Sequence, residues 1–330
     1  MWVHTLQHRI RFAVLRRFVA AALCTVAAAA TVSLGAPAAA SAGTLSYSQP
    51  HRLVPSTGNL YWTAGPQSDA VGQVWRASKQ NQPGQETLLY QEQHTYPTDF
   101  EALTWALVDG QYYGYFVANY PTLDKSVIKR VSLSGGSAVT LGHSPAYVGD
   151  RDLVNDGTYL YWADEKGIRR MNIGGGKVKT LVSGTDFVHV GLDATRVFYS
   201  AGPDIDTVPK TGGSPSLWVA DSSAITAMSV DATDEVVRYG DASGAVMQYP
   251  WVYPGVYYYQ QPSPGETITS VTLGYNTIYW GECGGGGCRI SWWENTGQGS
   301  WPTNGAPIDI SADASGAYYG DEDLESYPIP

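Results

Sequence analysis

The chain has 330 residues, with 30 Asp and Glu against 20 Lys and Arg, which gives a net charge of −10 at pH 7. Binding to phosphate backbones needs a basic surface, so this balance excludes nucleic acid as the expected partner. The chain has 11 Trp and 23 Tyr but only six Phe. Such a composition is typical of half-buried strands and of ligand-binding surfaces.

Residues 1–42 have the three parts of a secretory signal peptide. Arginines up to Arg17 precede an apolar stretch from Phe18 to Leu34, and Ala40-Ser41-Ala42 offers a cleavage site. Cleavage near Ala42 removes four arginines, changes the net charge to −14, and leaves no membrane anchor. We therefore expect a secreted, extracellular protein. The pair Arg16-Arg17 leaves twin-arginine export as the alternative to the general secretory route.

A sequence unit recurs along residues 43–330 with a period near 40 residues. Its clearest copy spans residues 153–170, and each copy has one aromatic residue at the end of an apolar run. These aromatics are Trp62, Phe116, Trp162, Tyr199, Tyr239, Trp280 and Tyr319. Repeats of this length built from short strands are typical of β-propellers. Seven copies predict an all-β, seven-bladed β-propeller that forms one domain and is monomeric.

Turn residues divide the clearest copy into four short strands. Asp156-Gly157 and Gly174-Gly175-Gly176 supply the positive φ values that tight turns need. The predicted strands are Leu153-Val154, Tyr159–Trp162, Gly167–Ile173 and Val178–Leu181. Third strands are predicted in the other six copies at Val74-Trp75-Arg76, Val127-Ile128-Lys129, Ile205-Asp206-Thr207, Val246-Met247-Gln248, Arg289-Ile290-Ser291 and Ser326-Tyr327.

The seventh copy runs out at Pro330 after its third strand, whereas the alternating segment Thr44–Ser48 precedes the first copy. We expect this N-terminal strand to complete the last blade and close the ring, which leaves no open sheet between the ends.

Two copies carry a more specific motif. Leu160-Tyr161-Trp162-Ala163-Asp164 followed by Ile168-Arg169 resembles the YWTD repeat of lipoprotein-receptor-type propellers, and Ile278-Tyr279-Trp280-Gly281-Glu282 with Arg289-Ile290 resembles it less closely. The resemblance implies a secreted or cell-surface propeller that binds proteins, and a structural role for Asp164 between blades. That family normally builds six blades, so its partners and binding surface are not carried over to this chain.

The inner strands are expected to bring polar residues together around the central channel. Alignment of the copies places Arg52, Asp152, His189, Ser270 and Asp309 at one level, with Trp105 and Met228 or Ser229 in the less regular second and fifth copies. His189, Asp152 and Asp309 are the candidate catalytic and metal-binding residues, because histidine and carboxylates act as acids, bases and ligands near neutral pH. The alternative is that Arg52 simply pairs with the aspartates across the channel.

Other acids and histidines also recur near one end of the central channel, the channel mouth. Asp164, Asp241, Glu282 and Asp321 follow the repeat aromatic by two residues and could bind Ca²⁺ through oxygen ligands or bond to their own loops. The histidines His51, His94 and His143 enter blades one to three. We expect them to be solvated loop residues. No cofactor is expected, and a divalent cation, Ca²⁺ or Mg²⁺, is the alternative.

Aromatic residues concentrate in the fifth and sixth copies, where they either pack between blades or bind a ligand. The predicted ligand-binding residues are Arg52, Trp105, Trp251, Tyr253, Tyr258 and Trp292. In the same region, Cys283 and Cys288 flank four glycines, and an exported pair this close is expected to form a disulfide.

The sequence contains no nucleophile motif of high specificity, so we predict a binding module for an extracellular glycan or protein, not an enzyme. The alternative is a metal-assisted lyase or hydrolase at the channel mouth. Its support is the placement of His189, Asp152 and Asp309, which is similar to that in secreted seven-bladed propellers of the virginiamycin B lyase and pectate-oligomer lyase kind. A structural envelope component is a third interpretation.

Overall fold

A computed structural model describes twelve segments of the chain: 50–64, 71–79, 86–92, 98–149, 151–252, 255–274, 277–295, 297–303, 305–307, 309–313, 316–320 and 324–328. Ser41–Pro330 form one compact unit. The predicted signal peptide and Thr44–Ser48 lie outside the described residues. The segments that are described contain no helix with the length and hydropathy needed to cross a membrane.

The described residues form sheets of consecutive antiparallel strands, which confirms the predicted all-β propeller. Six sheets have four strands and one has three. The strands of the first three blades are β1 (Pro50–Pro55), β2 (Asn59–Ala64), β3 (Gln73–Ser78), β4 (Thr87–Gln91), β5 (Asp99–Val108), β6 (Gln111–Tyr120), β7 (Lys125–Ser132), β8 (Val139–His143), β9 (Leu153–Asn155), β10 (Tyr159–Asp164), β11 (Gly167–Asn172) and β12 (Lys179–Ser183). One short 3₁₀ helix, Pro121–Leu123, lies between β6 and β7.

The remaining strands continue the same order. Blades 4 to 6 contain β13 (Phe187–Leu192), β14 (Arg196–Ala201), β15 (Asp204–Pro209), β16 (Ser216–Ala220), β17 (Ile225–Asp231), β18 (Val236–Asp241), β19 (Val246–Pro250), β20 (Tyr257–Gln260), β21 (Thr267–Leu273), β22 (Ile278–Gly284), β23 (Gly287–Glu294) and β24 (Gly297–Pro302). The seventh sheet contains β25 (Asp309–Asp313), β26 (Gly316–Gly320) and β27 (Leu324–Pro328).

All seven repeat aromatics lie on the second strand of their sheet and are buried, with exposed fractions of 4% or less. They fill the spaces between neighbouring blades. Trp162 of blade 3, for example, packs with Tyr115 and Val117 of blade 2 in one core cluster. The sequence period therefore reflects stacking of one sheet on the next, in which each blade buries its aromatic against its neighbour.

The six complete blades fall short of the seven predicted, because the seventh copy forms a sheet of only three described strands. This sheet packs against both of its neighbours. Tyr318 shares a core cluster with Leu53 and Trp62 of blade 1, and Ile310 shares one with Tyr279 of blade 6. The expected fourth strand, Thr44–Ser48, lies outside the described residues, so the predicted manner of ring closure stays a prediction.

Candidate functional site

Strand register defines one level of the central channel. In every sheet, one inner-strand residue pairs with the repeat aromatic, and the residue just before it belongs to this level. The seven residues are Arg52, Ala102, Asp152, His189, Ala227, Ser270 and Asp309. The five positions predicted from the regular copies are therefore confirmed.

The positions predicted for the second and fifth copies are wrong. Ala102 and Ala227 occupy this level, since each precedes the residue that pairs with the repeat aromatic. Trp105 lies further along β5, where its indole N–H donates to the carbonyl oxygen of Pro55 at 3.1 Å. Trp105 is thus at the other end of the inner strands and packs with Tyr112, 5.6 Å away between ring centroids.

Arg52 is the centre of the polar cluster at this level. Its guanidinium contacts Asp152 of blade 3 at 2.8 Å and Asp309 of the seventh sheet at 3.7 Å. The side chain therefore crosses the channel past blade 2, where the ring residue is the small Ala102. Ala102 adopts φ +47° and is 1% exposed, a backbone conformation that costs free energy for a residue with a Cβ.

His189 completes the cluster through Asp152. Its Nδ1 lies 3.2 Å from Asp152 Oδ2, and the same oxygen accepts the backbone N–H of Val190 at 3.1 Å. A proton on Nδ1 satisfies this contact and leaves Nε2 as an acceptor. Asp309 in turn accepts the backbone N–H of Leu53 at 2.8 Å. Every charged group of the cluster has a partner of the opposite charge or a hydrogen-bond donor.

The two carboxylates have opposite pKa shifts. Burial raises the pKa of Asp152, but the Arg52 charge and the hydrogen bond from His189 outweigh it, so the pKa lies below 3.8. Burial also raises the pKa of Asp309, and there Arg52 is further away and the charge of Asp152 adds to the effect. The result for Asp309 is a pKa of about 6.

Beside the cluster, the channel contains a cavity of about 320 Å³. Arg52, Asp152 and Asp309 of the cluster line this cavity, together with Asn155, Ser229 and the aliphatic side chains Leu103, Val154, Leu192 and Val230. Within the described segments, no group of three or more His, Cys, Asp or Glu could hold a metal ion. The geometry supports the ion-pair interpretation of Asp152, His189 and Asp309, since Arg52 lies between the carboxylates.

The recurrent acids at the mouth are structural in the part of the chain that can be described. Asp164 is fully buried and receives two hydrogen bonds from Arg169, at 2.7 and 2.8 Å. Ser144, at the end of blade 2, donates to Asp164 at 2.9 Å and accepts the indole N–H of Trp162 at 2.9 Å. Asp164 thus joins two blades, as the repeat resemblance implies.

Glu282 has the equivalent position in blade 6. It binds Arg289 at 2.7 Å and the amide of Gln260 at 2.7 Å, and Gln260 accepts the indole N–H of Trp280. Asp241 bonds to Ser243 and to the backbone of its own loop. These contacts favour the structural interpretation over a calcium site for the three acids. Asp321 lies outside the described residues.

The outer strand of blade 5 presents aromatic side chains to solvent. In β20, Tyr257 is 52% exposed and Tyr258 is 47% exposed. Tyr257 is opposite Gln248 in β19, and the hydroxyl of Tyr259 donates to the same Gln248. Tyr259 also contacts Trp293 of blade 6, with ring centroids 5.2 Å apart. We call Gln248, Tyr257, Tyr259 and Trp293 the blade 5–6 aromatic face.

The predicted aromatic ligand-binding residues lie elsewhere. Trp251 stacks on Phe198 of blade 4 at 5.9 Å, and Trp292 packs with Trp301 at 6.1 Å towards the seventh sheet. Tyr258 is exposed, on the face of β20 opposite Tyr257, since it pairs with Met247. Tyr253 lies outside the described residues. Strand alternation puts Trp292 and Trp293 on opposite faces, and this signal could have predicted that Trp292 packs towards the seventh sheet and Trp293 towards blade 5.

Cys283 and Cys288 form the predicted disulfide. They are directly opposite each other in the hairpin of β22 and β23, whose tip is glycine. The side chain of His143 is exposed at the end of β8, and His189 belongs to the axial cluster. The His51 side chain and the whole of His94 lie outside the description.

Comparisons with known proteins identify the fold alone. No protein-family model matches the chain, and no curated protein matches it. Solved structures do match. The WD40 β-propeller domain of Doa1 is 11% identical, with 87% of this chain and 95% of that chain covered and a TM-score of 0.65. Sqt1 of Saccharomyces cerevisiae is 10% identical, with coverages of 88% and 98% and a TM-score of 0.59.

A third similar structure is Raptor of Chaetomium thermophilum, at 11% identity and a TM-score of 0.62. The match covers 87% of this chain but 29% of Raptor, so the chain spans less than a third of that protein. At such identities the similarity shows a β-propeller fold and does not indicate a function.

Proposed function

We propose that the chain is an exported binding module that recognises an extracellular glycan or protein through the outer strands of blades 5 and 6. The observation that carries the proposal is the blade 5–6 aromatic face, whose outermost ring, Tyr257, is half exposed. An aromatic ring buries a large area when a ligand covers it, so exposed rings next to packed ones are favourable contact points.

The channel is the weaker candidate for recognition. Arg52 crosses it and pairs with Asp152 and Asp309, and these carboxylates also bond to His189 or to the backbone. A ligand that entered would have to displace these paired charges. The aromatic face offers its ring surfaces to solvent without that cost.

Export and ring closure belong to the same proposal. The signal peptide of residues 1–42 would direct secretion, where the Cys283–Cys288 disulfide is stable. We further propose a seven-bladed ring in which Thr44–Ser48 pairs with β27. Its support is the packing of the seventh sheet on blade 1, which includes the ion pair between Lys79 and Asp313. Deleting residues 44–48 should lower the melting temperature by several degrees, and an unchanged melting curve would contradict this closure.

An adsorption experiment tests the proposed function. Purified protein is incubated with isolated extracellular material that contains both proteins and polysaccharides, and the bound fraction is measured. We expect Tyr257→Ala to lower the apparent affinity at least tenfold. The matched control is Tyr112→Ala, which removes an equally exposed tyrosine from blade 2. Full binding by the Tyr257 variant, with loss in an Arg52→Gln variant, would move recognition to the channel.

A second candidate function is a lyase or hydrolase, the metal-assisted enzyme that the sequence left as an alternative. One specific observation favours it: His189, held by Asp152, lies in the same cluster as Asp309, whose pKa of about 6 suits proton transfer near neutral pH. Metal analysis of the wild type and of a His189→Ala variant tests the metal-assisted form. Stoichiometric metal that disappears in the variant would support the enzyme, whereas metal-free protein would weaken it.

A further inference from the structure

The cavity beside the axial cluster has a charged end and an aliphatic end. Arg52, Asp152 and Asp309 line the charged end, and their side chains are 17–21% exposed, so solvent reaches it. The aliphatic side chains lie one to three residues further along the inner strands than the charged level, and they are Leu103, Val154, Leu192 and Val230. A volume of about 320 Å³ is near the lower limit for pockets that hold small organic molecules.

The charges at this end do not balance. One guanidinium faces two carboxylates, which gives a net charge of −1 when His189 is neutral. Arg52 lies 2.8 Å from Asp152 but 3.7 Å from Asp309. Burial and the charge of Asp152 raise the pKa of Asp309 to about 6, whereas Arg52 and His189 hold the pKa of Asp152 low. Asp309 is therefore the carboxylate whose negative charge is less completely compensated.

We propose that this cavity binds a small organic amine, whose ammonium group pairs with Asp309 and whose aliphatic part lies against the aliphatic end. A cation can enter without breaking the closer ion pair, because Arg52 stays with Asp152 while the ligand takes the second carboxylate. Every buried charge then has a partner of the opposite sign. The site is separate from the rim of blades 5 and 6 and does not depend on recognition there.

Other classes of small ligand fit the cavity less well. An anion would meet two carboxylates and would have to take Arg52 away from them, which leaves buried charges unpaired. A neutral molecule would leave the net charge of −1 uncompensated. The negative charge of the whole chain also attracts cations and repels anions. The described lining residues include no aromatic ring, so hydrogen bonds from a primary ammonium, not cation–π contacts, would hold the cation.

Ligand-observed NMR titrations with the full chain test the ligand class. The probes share one branched aliphatic group: 3-methylbutylamine, the alcohol 3-methylbutan-1-ol, the anion 3-methylbutanoate, and the zwitterion leucine. We expect the amine to bind at least tenfold more tightly than the alcohol or the anion, and more tightly than leucine. Equal binding of the amine and the alcohol, tighter binding of the anion or of leucine, or no binding of the amine at millimolar concentration would overturn the proposal.

Two variants with opposite expected effects locate the site, measured at about pH 8 so that Asp309 is ionised. Asp309→Asn removes the charge but keeps the shape, and it should lower the affinity for the amine at least tenfold. Arg52→Gln removes the competing cation and should raise the affinity severalfold. Loss of the fold would lower both affinities. Wild-type affinity in Asp309→Asn, or a lower affinity in a folded Arg52→Gln protein, would contradict the site.

The matched control is Tyr112→Ala, which removes an exposed ring from blade 2 and should bind the amine like the wild type. Adsorption of Asp309→Asn to extracellular material should also be unchanged. The amine site and the proposed function at the rim can therefore fail separately.

Discussion

The axis of the propeller and the rim of blades 5 and 6 use their side chains in opposite ways. At the axis, Arg52, Asp152 and Asp309 form ion pairs within the protein and are largely withdrawn from solvent. At the rim, Tyr257 is uncharged, and about half of its surface is exposed to solvent. A polar cluster can therefore stabilise the fold, while uncharged aromatic residues provide the surface that is available to a ligand.

The acids between blades, like those at the axis, form ion pairs within the protein. Blade 3 supplies its own acid, Asp164, for Arg169. Blade 2 has Ala118 at the position of Asp164, and its Lys129 pairs instead with Glu92, which follows the outer strand of blade 1. The ion pair therefore persists at both boundaries although the acid comes from a different blade, as expected for a structural contact.

The largest loss of stability is expected at the buried ion pair between Asp164 and Arg169. Asp164→Ala leaves the guanidinium of Arg169 buried without its carboxylate, so we expect a loss of about 3–5 kcal/mol in the free energy of unfolding. Chemical denaturation followed by intrinsic fluorescence measures it. Tyr258→Ala, which removes an exposed ring, is the control. A loss below about 1 kcal/mol would show that the buried pair is not structural.

A smaller effect is expected at the axis. Arg52→Gln removes the cation that faces Asp152 and Asp309, and we expect a loss of about 2 kcal/mol in stability because the carboxylates keep partial access to water. Binding at the rim should be unchanged. An Arg52→Gln variant that is as stable as the wild type but fails to bind would place recognition at the axis instead of the rim.

The pH dependence of the axis gives a third test. The pKa of Asp309 is raised to about 6 by burial, so its contribution to stability is complete below about pH 4 and is lost as the pH rises through 6. The stability difference between wild type and Asp309→Asn should therefore become less favourable to the wild type from pH 4 to pH 6. Asp152, whose pKa is lowered, contributes with the opposite sign, and its contribution is lost on acidification.

Carbon-13 NMR of the aspartate carboxyl groups measures these pKa values directly. In Arg52→Gln the pKa of Asp309 should rise by about one unit, since a cation within 4 Å normally lowers it. No change on removing Arg52 would show that the arginine is not held near Asp309 in solution.

The smallest effect on stability is expected at the rim. Tyr257→Ala should change the free energy of unfolding by no more than about 0.5 kcal/mol, because the side chain is half exposed and makes few core contacts. Thermal and chemical denaturation measure this. A loss above about 2 kcal/mol would indicate that the ring is part of the core and that weaker binding reflects unfolding.

Sequence reasoning predicted the strands well, because turn residues such as Gly157 bound each apolar run. It also predicted the level of Arg52, Asp152, His189, Ser270 and Asp309, since equal spacing within regular copies produces equal register. The prediction failed in blade 2, where β5 has ten residues and Ala102 lies further from the following turn than in the regular copies. It also failed in blade 5, where Ala227 occupies the level instead of Met228 or Ser229.

The aromatic residues were harder to assign. Tyr257, Tyr258 and Tyr259 are consecutive, yet only the register with β19 shows that Tyr257 and Tyr259 share the Gln248 side while Tyr258 faces the other. Trp292 and Trp293 are both partly buried, and they pack against different neighbours, the seventh sheet and blade 5. Both distinctions depend on packing between sheets, which composition and periodicity do not contain.

Hydrogen–deuterium exchange with and without the soluble fraction of the extracellular material that the protein binds tests whether recognition lies at the rim. We expect slower exchange of backbone amides in β20 and β24. Exchange in β9 and β13, the strands that line the channel, should be unchanged. Slower exchange confined to β9 and β13, or no change in either pair of strands, would contradict this expectation.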